Sequence, residues 1–71
     1  MKQVIGENIA AKRKERGWTQ AHLAELVGVK QLHISRWETG KHLPTIDQFI
    51  AIADALQCSL DELAGIKCNN V

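Results

Sequence analysis

The sequence predicts a small all-α domain of five short helices, and three observations carry that reading. Apolar residues recur at three- and four-residue intervals, and no stretch alternates as a half-buried strand would. Two capping boxes, Thr45 with Gln48 and Ser59 with Glu62, stand immediately ahead of apolar periodic runs. Gly17 and Gly28 follow periodic segments at the places where a left-handed residue ends a helix.

Taken in order, the first helix is expected from Ile5 to Arg16, with Ile5 and Ile9 facing inward and a basic end from Lys12 to Arg16. Thr19 offers a side-chain oxygen to the unpaired amides of the second helix, whose buried stripe is Leu23, Ala24 and Val27. The third helix starts at Lys30 or Gln31 and ends at Glu38, before Gly40 and a loop closed by Pro44. In the fourth helix, Ile46, Phe49, Ile50, Ala53 and Leu56 fall at helical spacing and are expected to face the core. The fifth runs through Leu63, and the reading places the domain at residues 1–66 with a flexible tail at 67–71.

A chain of 71 residues holds one core, and 45% hydrophobic with 24% charged residues gives it enough apolar surface to fold. No run approaches the roughly 18 apolar residues of a membrane span, and no secretory signal stands at the start, so a soluble cytoplasmic protein is expected. Cys58 and Cys68 are too few for a disulfide framework and read as thiols, Cys58 in the core and Cys68 exposed. His22, His33 and His42 lack the spacing and partners of a zinc site, so neither metal nor cofactor is expected. No paired carboxylates or activated nucleophile converge on one pocket, which removes an enzyme from consideration.

The net charge of +1 conceals a partition. Residues 1–41 carry eight basic against four acidic side chains, +4, while residues 42–71 carry one against four, −3. Such a molecule presents one face attractive to phosphate, which the whole-chain charge does not report.

The informative segment is Gln20 to Thr39, two helices joined by a turn too short for them to lie antiparallel. A steep crossing needs a small residue, Ala24, and a turn glycine, Gly28, with Leu23, Val27, Val29, Ile34 and Trp37 locking the pair to the core. The second helix of such a unit projects outward and fits a B-form major groove about 12 Å wide.

The combination Thr19-Gln20, Leu23-Ala24, Gly28, Ile34-Ser35-Arg36-Trp37-Glu38, Gly40 and Pro44 resembles the lambdoid phage repressor and Cro family, also called XRE-type helix-turn-helix proteins, over about residues 5–65. The resemblance implies a compact five-helix, lambda-repressor-like fold and a bacterial or phage-encoded transcriptional regulator, most often a repressor, bound to double-stranded DNA. By position, Gln31, Leu32, Ser35 and Arg36 are implied to read bases. Gln31 matches adenine, Leu32 a thymine methyl group or simply solvent, and Arg36 guanine or else phosphate. Arg13, Thr19, Gln20, Lys30, Thr39 and Lys41 are implied to meet the DNA backbone, the lysines alternatively being solvated surface. Arg13 and Glu38 match a partly buried ion pair that also turns Arg13 toward phosphate.

Two positions depart from that family. Lys30 stands where Ser or Thr usually caps the reading helix, and Lys12 replaces an apolar residue, extending the phosphate footprint. Because one reading helix discriminates only a few base pairs, a homodimer on a near-palindromic operator is expected. Leu60, Leu63 and Ile66 near the carboxyl end are the contact candidates, unless they belong to the core. An antitoxin-like role with a partner protein is the alternative, and the chain is either a whole regulator or the amino-terminal module of a longer repressor.

Overall fold

The computed structural model describes residues 2–65. Five helices follow one another, α1 (Lys2–Glu15), α2 (Gln20–Val27), α3 (Gln31–Glu38), α4 (Ile46–Leu56) and α5 (Leu60–Ala64), with no strand among the described residues. α1 begins three residues ahead of the expected Ile5, because nothing in Lys2 to Val4 breaks a helix. It ends as expected, with Gly17 at φ 71°.

The local signals act as read. Thr19 accepts the amide of His22 at the start of α2, and Gly28 closes that helix at φ 86°. Thr45 Oγ1 accepts the Gln48 amide at 3.2 Å while Gln48 Oε1 accepts the Thr45 amide at 2.8 Å. Ser59 and Glu62 exchange the same two bonds at 3.1 and 3.0 Å. In each box two amides that a helix start leaves unpaired find acceptors.

One core unites all five helices, with Ile9, Leu23, Ile34, Ile52, Leu56 and Leu63 completely buried in it. α1 packs against α3, α4 and α5, so it runs through the middle of the assembly. It comes close to α3 at Gly6, where a Cβ would stand 2.3 Å from the Trp37 carbonyl oxygen and 2.7 Å from that of Glu38. Cys58 is half-buried against the core, and burial, followed by the charge of Glu62, pushes its thiol pKa up.

Three expectations are corrected. The buried face of α4 is Ile52, Ala53 and Leu56, with Phe49 half-buried, whereas Ile46 and Ile50 are 66% and 50% exposed. This helix is apolar on more than one side, so its periodicity admits two faces, and the neighbours α2 and α5 select between them. Leu63 is fully buried, with its carbonyl accepting Asn8 Nδ2 at 2.9 Å, so it belongs to the core and not to a contact between copies. Lys12 turns to α5, where its ammonium lies 3.2 Å from Glu62 Oε2, and it does not widen a phosphate-binding face. Ile66, Cys68 and the 67–71 tail lie outside the described residues.

The Ser59 amide, and after it the Lys12 ammonium, holds the Glu62 carboxyl below its ordinary value of 4.5. A carboxylate so lowered stabilises the fold fully above its unfolded pKa, and that contribution is lost as pH falls through the folded value. Glu62→Ala is therefore expected to lower the urea midpoint at about pH 7, with the gap to the parent narrowing by about pH 3. An equal gap at both pH values would show that the charge contributes nothing.

Candidate nucleic-acid interface

Three residues, Gly28 to Lys30, join α2 to α3. The Gly28 and Val29 amides both donate to the Ala24 carbonyl, at 2.8 and 3.0 Å, which fixes the exit from α2. A Cβ on Gly28 would meet nothing within 4 Å, so the turn needs glycine for its positive φ and not for space. Lys30 is the N-cap of α3 in extended conformation and makes no side-chain capping bond, as its lack of an acceptor dictates.

On the inner side of α3, Ile34 and Trp37 are 0% and 3% exposed. That anchorage decides what faces out. Gln31, Leu32 and Arg36 are exposed and Ser35 is half-buried, so the four residues read as base contacts share the outer surface of one helix. Leu32 is 54% exposed. Thr39 and Lys41 are exposed just beyond the end of α3, and Thr39 Oγ1 donates back to the Ser35 carbonyl at 2.9 Å.

Behind this surface lies a polar chain centred on Glu38, whose side chain is 6% exposed. Arg13 Nε donates to Glu38 Oε2 at 2.7 Å and Nη2 to Oε1 at 3.1 Å, a two-pronged, charge-assisted pair. Arg13 Nη1 donates to the Trp18 carbonyl at 2.7 Å. Gln20 Nε2 also donates to Glu38 Oε1, at 3.0 Å, and its Oε1 accepts Gln31 Nε2 at 3.5 Å. One carboxylate therefore holds α1, α2 and α3 together and, through Gln20, touches the first residue of α3.

Arg13 is only 9% exposed and directs all three guanidinium nitrogens to protein acceptors, so its contacts within the domain are structural. Thr19, Gln20 and Lys30 remain at the surface on the α2 side of α3, Gln20 half-buried and the other two exposed.

Three structural contributors escaped the sequence reading. Gly6 permits the approach of α1 to α3, and Asn8 holds the end of α5. Arg16 donates Nε and Nη2 to the Leu56 carbonyl at 3.1 and 2.6 Å, closing the end of α4, and lies over the Trp18 ring. Its charge is thus committed at a helix C-terminus, where it complements the dipole. Only the basic cluster itself was visible in the sequence. The acidic half of the chain has a structural address: Asp47, Asp54, Asp61 and Glu62 are all exposed, on α4 and α5.

The profile of the helix-turn-helix family matches residues 9–63, which contain all of α2, α3 and α4. The chain belongs to this family. Among its helix-turn-helix relatives, the transcriptional repressor RstR of the cryptic phage CTXphi in Vibrio cholerae is 41% identical over 61 residues, 86% of this chain and 54% of that protein. Repressor protein C2 of Salmonella phage P22 is 43% identical over 61 residues, 86% of this chain but 28% of the repressor. The chain therefore spans about half and about a quarter of these relatives' lengths.

The crystal structure of the P22 c2 repressor with a synthetic operator superposes with a TM-score of 0.83 at 40% identity, covering 94% of this chain and 98% of that one. Antitoxin HipB of Escherichia coli is 38% identical over 48 residues, 68% of this chain and 54% of the antitoxin. The helix-turn-helix pair is α2 and α3, and no helix among the described residues is long and apolar enough to cross a membrane.

Proposed function

We propose that this chain is a sequence-specific DNA-binding transcriptional repressor that places α3 in the major groove of a near-palindromic operator and binds as a homodimer. The observation that carries the reading is the outer row of α3. Gln31, Leu32, Ser35 and Arg36 face outward from a helix whose other side is locked into the core, in a fold shared with a repressor solved on its operator. Gln31 suits adenine, Arg36 guanine, and Leu32 a thymine methyl group. Thr19, Gln20, Lys30, Thr39 and Lys41 border that row and serve the phosphates, fixing register without reading sequence.

Two copies related by a twofold axis would read half-sites about 34 Å apart. With Leu63 in the core, Leu60, 37% exposed, is the described residue of the carboxyl region left to begin that contact. The kinds of relatives it has support a bacterial or phage-borne regulator working in the cytoplasm. The likeness to HipB favours one second reading, a partner protein bound by the same domain.

Selection of bound sites from random duplex DNA tests the proposal. A recovered motif with twofold symmetry is expected, and no enrichment even at low salt would overturn it. Arg36→Ala is expected to relax the preference at one base position, by about 1 to 3 kcal/mol of discrimination. Lys41→Ala is expected instead to weaken all sequences alike and flatten the salt dependence by about 1. Unchanged base preference in the Arg36 variant would return that residue to the phosphate set.

A further inference from the structure

The Glu38 side chain is 6% exposed, yet two amides carry its influence to the outer row of α3. Gln20 Nε2 donates to Glu38 Oε1 at 3.0 Å, and Gln20 Oε1 accepts Gln31 Nε2 at 3.5 Å. The group at the inner end dictates the direction of both bonds. A carboxylate paired with Arg13 offers acceptor oxygens only, so the Gln20 amide must turn its NH2 inward and its oxygen outward. Gln31, exposed at the start of α3, meets that oxygen and must give it an N–H.

A primary amide has two N–H donors and one acceptor oxygen. With one donor of Gln31 engaged by Gln20, one N–H and the oxygen are left for a base. Adenine shows the major groove one acceptor, N7, and one donor, its N6 amino group, and pairs with that edge through two bonds. Guanine shows two acceptors, N7 and O6. To satisfy both, Gln31 would have to swing its NH2 to the base, leaving its own oxygen against that of Gln20 with no proton between them.

We propose that Glu38 is a positioning residue for base recognition: its carboxylate sets the hydrogen-bond direction along Gln20 and Gln31 before DNA arrives, so that Gln31 accepts adenine and rejects guanine. The inference rests on the DNA-binding reading above and on Gln31 as a base reader. Glu38 itself touches no base and acts through the two amides. Because the direction is already set in the free protein, no ordering of these side chains is left to be done when the base docks. The second N–H of Gln20 stays available to a phosphate, a contact that weighs on all sequences alike.

The test is a ratio of affinities. Site selection with the parent chain and with Gln31→Ala identifies the base position that Gln31 reads, and two duplexes differing only there, adenine against guanine, are then compared. Gln20→Leu cuts the relay and leaves the pair of Arg13 and Glu38 in place. It is expected to lower the adenine-to-guanine ratio about fivefold, the worth of one neutral hydrogen bond, while the lost phosphate contact weakens both duplexes equally. Gln20→Lys is the sharper variant. Its ammonium donates to Glu38 and to phosphate but accepts nothing, so Gln31 turns its oxygen to the ammonium and its NH2 to the base, and the preference moves to guanine. Glu38→Gln keeps the size of the side chain but lets the inner amide point either way, and is expected to lower the ratio as Gln20→Leu does, with a thermal melt establishing that the variant is folded.

An unchanged ratio in the two Gln20 variants, or in a folded Glu38→Gln chain, would overturn the proposal and leave the DNA-binding reading standing. Should Glu38→Gln not fold, the Gln20 variants decide alone. If Gln31→Ala alters no base position, Gln31 reads nothing and the proposal fails with that assignment. A parent chain that ignores DNA even at low salt would overturn both readings.

Discussion

Gly6→Ala is expected to remove most of the domain's stability, although alanine is the better helix former by about 1 kcal/mol. The added methyl would lie 2.3 Å from the Trp37 carbonyl oxygen and 2.7 Å from that of Glu38, both backbone atoms that cannot swing aside as a flexible side chain would. Trp37 O is already engaged, accepting the Gly40 amide at 3.2 Å where α3 ends, so moving it disturbs the turn toward Lys41 as well. Overpacking typically costs about 1 to 3 kcal/mol and here the upper end or beyond applies. For a domain of this size a loss of about 3 kcal/mol lowers Tm by roughly 12 to 24 °C.

Gly17→Ala provides the contrast. A Cβ there meets nothing within 4 Å, and only φ of 71° opposes it, at about 1 to 2 kcal/mol. Thermal melts of the two variants should rank them clearly, and a Gly6→Ala chain as stable as the parent would mean that α1 and α3 do not approach so closely.

Glu38→Ala is the second large effect, expected to destabilise by about 3 to 5 kcal/mol. Arg13 would keep its charge in a position where its side chain is 10% exposed, with only the Trp18 carbonyl left to satisfy it. The penalty therefore comes from the abandoned partner more than from the lost attraction. An apolar pair, Arg13→Met with Glu38→Leu, is expected to recover much of the loss, because neither charge is then stranded. Urea denaturation of the two single variants and a double variant closes the cycle, and additive losses would show that the pair is not coupled. DNA affinity offers an independent reading, since Glu38 also holds Gln20, which in turn meets Gln31.

Features whose physics is local could be read directly from the chain. The two capping boxes, the Thr19 cap and the stops at Gly17 and Gly28 each depend on residues within a turn of one another, and all of them form. The outer row of α3 was legible for a related reason, because Ile34 and Trp37 leave only one side of that helix free. Features set by distant partners were not. Nothing near Gly6 in sequence announces the carbonyls of Trp37 and Glu38, and Arg16 looks like one more member of a basic cluster until the end of α4 arrives beside it.

The face of α4 was misassigned because the helix is apolar around more of its circumference than one neighbour covers, leaving Ile46 and Ile50 outside. Arg13 illustrates the same division. Its pairing with Glu38 was implied by resemblance, but the depth of its burial is a property of the assembled helices.

Among the described residues, no hydrogen bond of the protein engages the Arg36 guanidinium, and Leu32 stands in solvent, while the neighbouring side chains facing the other way carry the architecture. Substitutions at these two positions are thus almost uncoupled from folding. Under the proposed function, a lineage could exchange them freely and acquire new targets without repairing its scaffold, because the two side chains proposed to meet the bases are also among those least constrained by the stability of the fold.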